Sequence, residues 1–179
     1  MEAGADIIND VYSGAYDSAI FEIAAEFNAY YIIMHMQGTP ATMQDNPSYS
    51  PAGVINDIKK FFEKRINSAV SSGIDYHKII LDPGIGFGKT IDHNMEIMNN
   101  LDEFKGFGMP LLIGPSRKSF IGQILDAEPE KRLFGTAAVV AYGIIKGANI
   151  IRVHDVKEMG EIAKMMDAMI GRKPMQAVE

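Results

Sequence analysis

Five times along this chain a short apolar run is followed by a longer stretch whose apolar residues keep helical spacing, and the runs lie too far apart to be joined as hairpins. Strands connected in this way pair in parallel through right-handed crossovers. Two architectures satisfy that rule, a doubly wound sheet and a barrel. The spacing predicts strands near 6–11, 30–36, 78–82, 110–114 and 149–153. It predicts helices from about Asp17, with Ile20, Ile23, Ala24 and Phe27 on one face, then over 54–70, 94–104, 116–125 and 129–146, and a last one ending near Ile170. Met165, Met166 and Met169 on that last helix read as core packing.

Polar residues separate the two architectures, because they collect where the strands end: Asn9 and Asp10, His35, Asp82, the group Ser116 to Lys118, and Arg152, His154 and Asp155. A doubly wound sheet gathers its site at one switch point, whereas a barrel draws on the C-terminal ends of many strands. The expected fold is therefore α/β, of the (β/α)8 barrel class. Such a barrel usually takes ~250 residues, so five units in 179 residues are expected to form a partial barrel lacking about three N-terminal βα units. The opening residues 1–6 resemble a helix end with its C-cap glycine, in keeping with that expectation.

Composition narrows the function classes. At 47% hydrophobic and 22% charged residues the chain has enough apolar material for one core, so a single domain over 1–179 is expected. The absence of Cys excludes disulfide scaffolds, thiolate metal sites and thiol catalysis, and suits a cytoplasmic location. A net charge of -6 argues against a nucleic-acid partner. No run approaches the ~20 apolar residues of a membrane span, so no membrane partner is expected.

The stretch IILDPGIGFGKT at 79–90 runs from a strand into a carboxylate and three alternate glycines. Its GxGxG spacing departs from the dinucleotide fingerprint, and Pro83 stands where the phosphate loop needs glycine. It reads either as the rim of a binding site or as a βα loop capped by Asp82. Gly114-Pro115-Ser116-Arg117-Lys118-Ser119 is either an anion site at a helix start or a capped helix with solvated cations. Arg152 and His154, two residues apart on a strand, share a face. They suit a diphosphate, or else Arg152 pairs with Asp155 or Asp82 and His154 is a structural imidazole. Asn9 and Asp82 together offer donor and acceptor groups for the edge of a flat heterocycle. No histidine pairing of the metal-binding type is present, so no metal-ligating residue is assigned.

IINDV at 7–11, MHMQGTPATMQ at 34–44, LDPGIGFGKT at 81–90, GPSRKSFIG at 114–122 and IRVHDV at 151–156, in this order and spacing, closely resemble the dihydropteroate synthase family of pterin-binding barrels. The resemblance implies condensation of hydroxymethyl-dihydropterin diphosphate with 4-aminobenzoate in folate biosynthesis, and a sulfonamide target. It implies that Asn9 and Asp82 hold the pterin edge, Met34 and Phe87 wall the ring, and Gly114 adjoins the pocket. Ser119 would help bind the aminobenzoate carboxylate, and Lys118, Arg152 and His154 would be the catalytic residues, the last two on the diphosphate. Mg2+ is implied with the diphosphate, its protein ligand expected in the absent N-terminal part, and so is a homodimer through the late helices. On this expectation the chain keeps much of the pterin pocket without full catalysis. A pterin-dependent methyltransferase and a non-catalytic pterin-binding module are the alternatives.

Overall fold

A computed structural model of the chain describes residues 1–172. In chain order its elements are β1 Ile7–Asp10, α1 Ala19–Glu26, β2 Tyr30–Met34, α2 Val54–Ser71, β3 Ile79–Asp82, α3 Ile91–Asn99, β4 Leu112–Ile113, α4 Ser119–Leu125, α5 Leu133–Ile145, β5 Ile150–Ile151 and α6 Val156–Met169. Every strand pairing is parallel. β1 pairs with β2, β2 with β3 and β4 with β5, and a bridge between Leu81 and Leu111 joins the two groups. The strands thus follow one another in sequence order, as in the wall of a (β/α)8 barrel and unlike a doubly wound sheet, whose order reverses.

The two-residue period of a strand splits the apolar residues between two faces. On the helix side, Tyr31, Ile33, Ile79, Leu81, Leu111 and Ile113 pack with Phe21 of α1, Ile58 and Phe62 of α2, and Ile97 of α3. On the other side, Ile32, Ile80 and Leu112 pack together with Ile150. Two residues beyond each member of that inner layer stand Met34, Asp82, Gly114 and Arg152, and Asn9 is in register with Ile32. The inner hydrophobic layer is therefore the floor on which the polar strand ends are mounted.

Helix α2 shows how local sequence sets an element. Val54, Ile55, Ile58, Phe62, Ile66 and Ala69 form its buried stripe, and Gly53 enters it at φ 87°. Several predicted elements are displaced. α3 begins at Ile91 because Thr90 and His93 cap it reciprocally, and beyond Asn99 the chain tightens into a 3-10 turn over Leu101–Phe107. Residues 129–146 likewise split into a 3-10 turn, Pro129–Lys131, and α5. α4 starts three residues later than predicted because Arg117 takes φ 54°, which a helix cannot accommodate. On α1 the buried side chains are Phe21 and Ala24, while Ile23 and Phe27 are exposed. On α6, Met159 and Met166 pack against Val140 and Ile144 of α5, but Met165 and Met169 face outward, so only one of the three predicted core methionines is buried.

Candidate functional site

The strand ends enclose a cavity of about 260 Å³ lined by Phe87, Gly114, Ser116, Lys118, Arg152, Val153 and His154. β5 stops at Ile151, so the strand rule that places Arg152 and His154 on one face does not reach them. They nevertheless line the same cavity. Gly114 leaves room for a close approach: a Cβ there would lie 2.6 Å from Nη2 of Arg152, which would have to shift. The guanidinium rests against the bare backbone and extends inward, where Nη2 meets Asp82 Oδ2 at 2.9 Å and Nη1 donates to Asn9 Oδ1 at 3.1 Å, with the Met34 sulfur 4.0 Å away. Arg152 thus gathers Asn9, Met34 and Asp82 beneath it.

Asp82 is fully buried. Its Oδ1 accepts the Gly84 N–H at 2.7 Å, whereas Oδ2 has only the ionic approach of Arg152 and no well-angled hydrogen bond. Burial pushes its carboxyl above the usual carboxylate range, opposed chiefly by the Arg152 charge and the Gly84 N–H. Lys118 lies with its ammonium 3.7 Å from the Phe87 ring centroid, a cation–π contact, and burial together with the Arg152 charge lowers its pKa. Ser116 Oγ accepts the His154 backbone N–H at 3.1 Å and lies 2.8 Å from His154 Nδ1. The hydroxyl thus holds both the backbone and the ring of the residue that lines the cavity.

Asp155, the other candidate partner for Arg152, is held instead by Arg117 through Nε at 3.0 Å and Nη2 at 2.5 Å. Arg117 is therefore occupied in a structural fork rather than presented to an anion. Ser119 is exposed and opens onto a different hollow of about 380 Å³, with Gln123, Asp126, Lys131 and Arg132 on its walls. The structure brings Asn9, Met34, Asp82, Phe87, Gly114, Lys118, Arg152 and His154 together and sets Ser119 one residue outside them.

The glycine loop between β3 and α3 carries Phe87 and is strapped from above by the segment after β2. Gln44 Nε2 donates to the Gly86 carbonyl at 2.8 Å and the Tyr49 hydroxyl donates to that of Gly88 at 2.9 Å. Tyr49→Phe is expected to lower the unfolding free energy by about 1 kcal/mol, read as a shifted urea midpoint with unchanged slope. Beneath the loop lies Lys89, the lysine that follows the glycines of the 79–90 stretch. It is buried against His35, and its one sequence signal is a lysine placed directly after the loop's glycines and its apolar residues Ile85 and Phe87.

The sequence profile described as "pterin binding enzyme" matches residues 1–154. The chain belongs to the pterin-binding enzyme family. Within it, the chain is 44% identical over 94% of its length to the dihydropteroate synthase of Synechocystis, of which it covers 58%, and 42% identical over 99% of its length to that of Escherichia coli K12, of which it covers 62%. It superposes with a TM-score of 0.91 and 42% identity on a Yersinia pestis dihydropteroate synthase solved with a sulfonamide drug complex, covering 96% of this chain and 62% of that one. A second solved structure, the dihydropteroate synthase of Clostridium difficile in the presence of pteroic acid, gives a TM-score of 0.87 and 41% identity over 96% of this chain and 62% of its own. The chain spans about three-fifths of the length of these relatives.

Proposed function

We propose that the cavity is a pterin site and that the chain carries dihydropteroate synthase chemistry: displacement of diphosphate from hydroxymethyl-dihydropterin diphosphate by the amine of 4-aminobenzoate. The observation that carries this reading is Asp82, a buried carboxylate whose Oδ2 lacks a well-angled hydrogen bond and is covered only by a guanidinium. A guanidinium and the amino-amidine edge of a pterin present the same pair of parallel N–H groups to a carboxylate. On this reading Arg152 is a resident stand-in, and a pterin takes its place against Asp82 and Asn9, with Met34 and Phe87 on its faces.

Displaced from Asp82, Arg152 joins Lys118 and His154 at the mouth of the cavity. Their donors suit a departing diphosphate, whose charge develops as the methylene–oxygen bond breaks. The amine forms the new bond to that methylene and loses a proton. Catalysis then consists of alignment and anion stabilisation, with no covalent enzyme intermediate. We assign the aminobenzoate carboxylate to Ser119, just outside the cavity, the residues 1–179 to one domain and the location to the cytoplasm. No helix among the described residues is long and apolar enough to cross a membrane. A second copy of the chain is the partner we assign to the late helices, where Phe134 and Ile145 of α5 are exposed.

Mg2+ finds no ligand set among the described residues. Asp82 is held as above, Asp10 accepts from the N–H groups of Tyr12 and Gly14 and from the Tyr31 hydroxyl, and Asp155 is paired with Arg117. No group of three His, Asp or Glu is arranged for a cation among those residues.

Titration calorimetry tests the reading. Saturable binding of pteroate, and none of methyltetrahydrofolate, is expected. The reverse preference would replace the synthase reading by methyl transfer, and no binding of either would end the pterin reading. Product formation from both substrates with Mg2+ measures the chemistry separately.

A further inference from the structure

Lys89 is buried to 4% exposure, yet none of the roles above uses it. Its ammonium has three acceptors at hand: His35 Nδ1 at 3.0 Å, the Phe87 carbonyl at 2.9 Å and the His35 carbonyl at 3.4 Å. Three N–H groups therefore meet three acceptors, two at the end of β2 and one on the residue that walls the cavity. The same nitrogen lies 3.5 Å from where a Gly84 Cβ would be, and Gly84 gives its N–H to Asp82. A lysine is rarely taken out of water without a compensating function.

We propose that Lys89 is a positioning residue of this pocket: from beneath the glycine loop it fixes the Phe87 wall, and it becomes the buried counter-charge of Asp82 when a ligand's uncharged edge replaces the Arg152 guanidinium. The inference rests on the pterin reading for its second half only. The clamp on Phe87 needs no ligand.

The charges that face Lys89 support this. Burial lowers its pKa to about 7, opposed by the attraction of Asp82 and reinforced by the charge of Lys118. His35, the group in direct contact, is held neutral, its pKa pushed down to about 2 by burial and by Lys89. The Tyr49 hydroxyl, from the strap above, stays protonated because burial raises it. His35 and Tyr49 therefore keep one protonation state near neutral pH, whereas the Lys89 ammonium they surround has a pKa of about 7.

The sign follows from linkage. Moving the Arg152 cation off Asp82 leaves the carboxylate to Lys89 and raises the lysine's proton affinity. A ligand that raises a pKa binds best to the protonated protein, so affinity falls as pH rises through about 7 and upward. Loss of the proton also leaves two N–H groups for the three acceptors, of which the Phe87 carbonyl is one.

The test compares the 179-residue chain with its Lys89→Met and Lys89→Gln variants. Pteroate is titrated calorimetrically from pH 6 to pH 9 in buffers of different ionisation enthalpy. In the unaltered chain affinity is expected to fall roughly tenfold over that range, with net proton uptake on binding near pH 8. The variants are expected to bind about tenfold more weakly at pH 6, with a flatter profile and no uptake assigned to the protein. Equal profiles and equal uptake in all three overturn the inference. Hydrogen exchange of the Phe87 and Gly88 amides, without ligand, decides the clamp independently of any pterin. After correction for intrinsic rates, exchange should rise between pH 6 and pH 9 in the unaltered chain, and should be fast at both in Lys89→Met. Failure of pteroate to bind removes the pterin reading, whereas pH-independent exchange, the same in chain and variant, removes Lys89 from its role.

Discussion

Asp82→Asn is expected to weaken pteroate binding by about 1–3 kcal/mol, roughly five- to 150-fold, in a calorimetric titration. The reason is geometric as much as electrostatic. Oδ1 of Asp82 is committed to the Gly84 N–H at 2.7 Å. An asparagine that keeps that bond must put its NH2 group where Oδ2 now stands. Against Arg152 this sets N–H groups facing the guanidinium, and with a pterin bound it sets them against the pterin's own N–H edge. Donor meets donor at a fully buried side chain, so the ligand loses an acceptor and gains a repulsion. The variant still folds, because Arg152 is about one-third exposed and can turn to solvent when its partner is neutral. Unchanged affinity would take Asp82 out of the pocket.

The expectation that Asp82 is a site residue came from its place at the exit of an apolar run, and the same signal marks Asn9 and Arg152. Strand ends are local properties, so these residues can be read from the chain, whereas the floor of Ile32, Ile80, Leu112 and Ile150 beneath them depends on the register between strands. Partner choice cannot be read from the chain either. Whether Arg152 takes Asp82 or Asp155 depends on Arg117, which turns to φ 54° and captures Asp155 first. That left-handed turn also delays α4, and it separates Ser119 from the cavity that Lys118 lines.

Lys89 was hidden for another reason. Its burial is created by a strap far away in sequence, through Gln44 and Tyr49, and by the carbonyl groups of His35 and Phe87. No spacing rule carries that information. The split helices are a milder case: the reciprocal cap of Thr90 and His93 is visible as a pattern only once histidine is admitted in the place where such caps usually have glutamate or glutamine.

Gly84→Ala is expected to lower the unfolding free energy by more than about 2 kcal/mol and to abolish measurable pteroate binding. Gly84 has φ 68°, and a Cβ there would collide with the His35 carbonyl oxygen. That oxygen has little room to retreat, because the His35 N–H is tied to the Asp82 carbonyl at 2.9 Å and the Lys89 ammonium holds the other side. The loop must move instead. Its movement draws the Gly84 N–H off Asp82 and shifts the Phe87 wall, whose backbone N–H is bonded to the Gly84 carbonyl at 3.0 Å. Gly108 supplies the control: it has the same φ of 68° but nothing within 4 Å of an added Cβ. Gly108→Ala therefore carries the left-handed strain of about 1–2 kcal/mol alone and should leave pteroate affinity unchanged. Urea unfolding of the two variants, followed by titration, separates strain from collision. Two variants equally stable and equally able to bind would mean that the glycine loop is not clamped against β2.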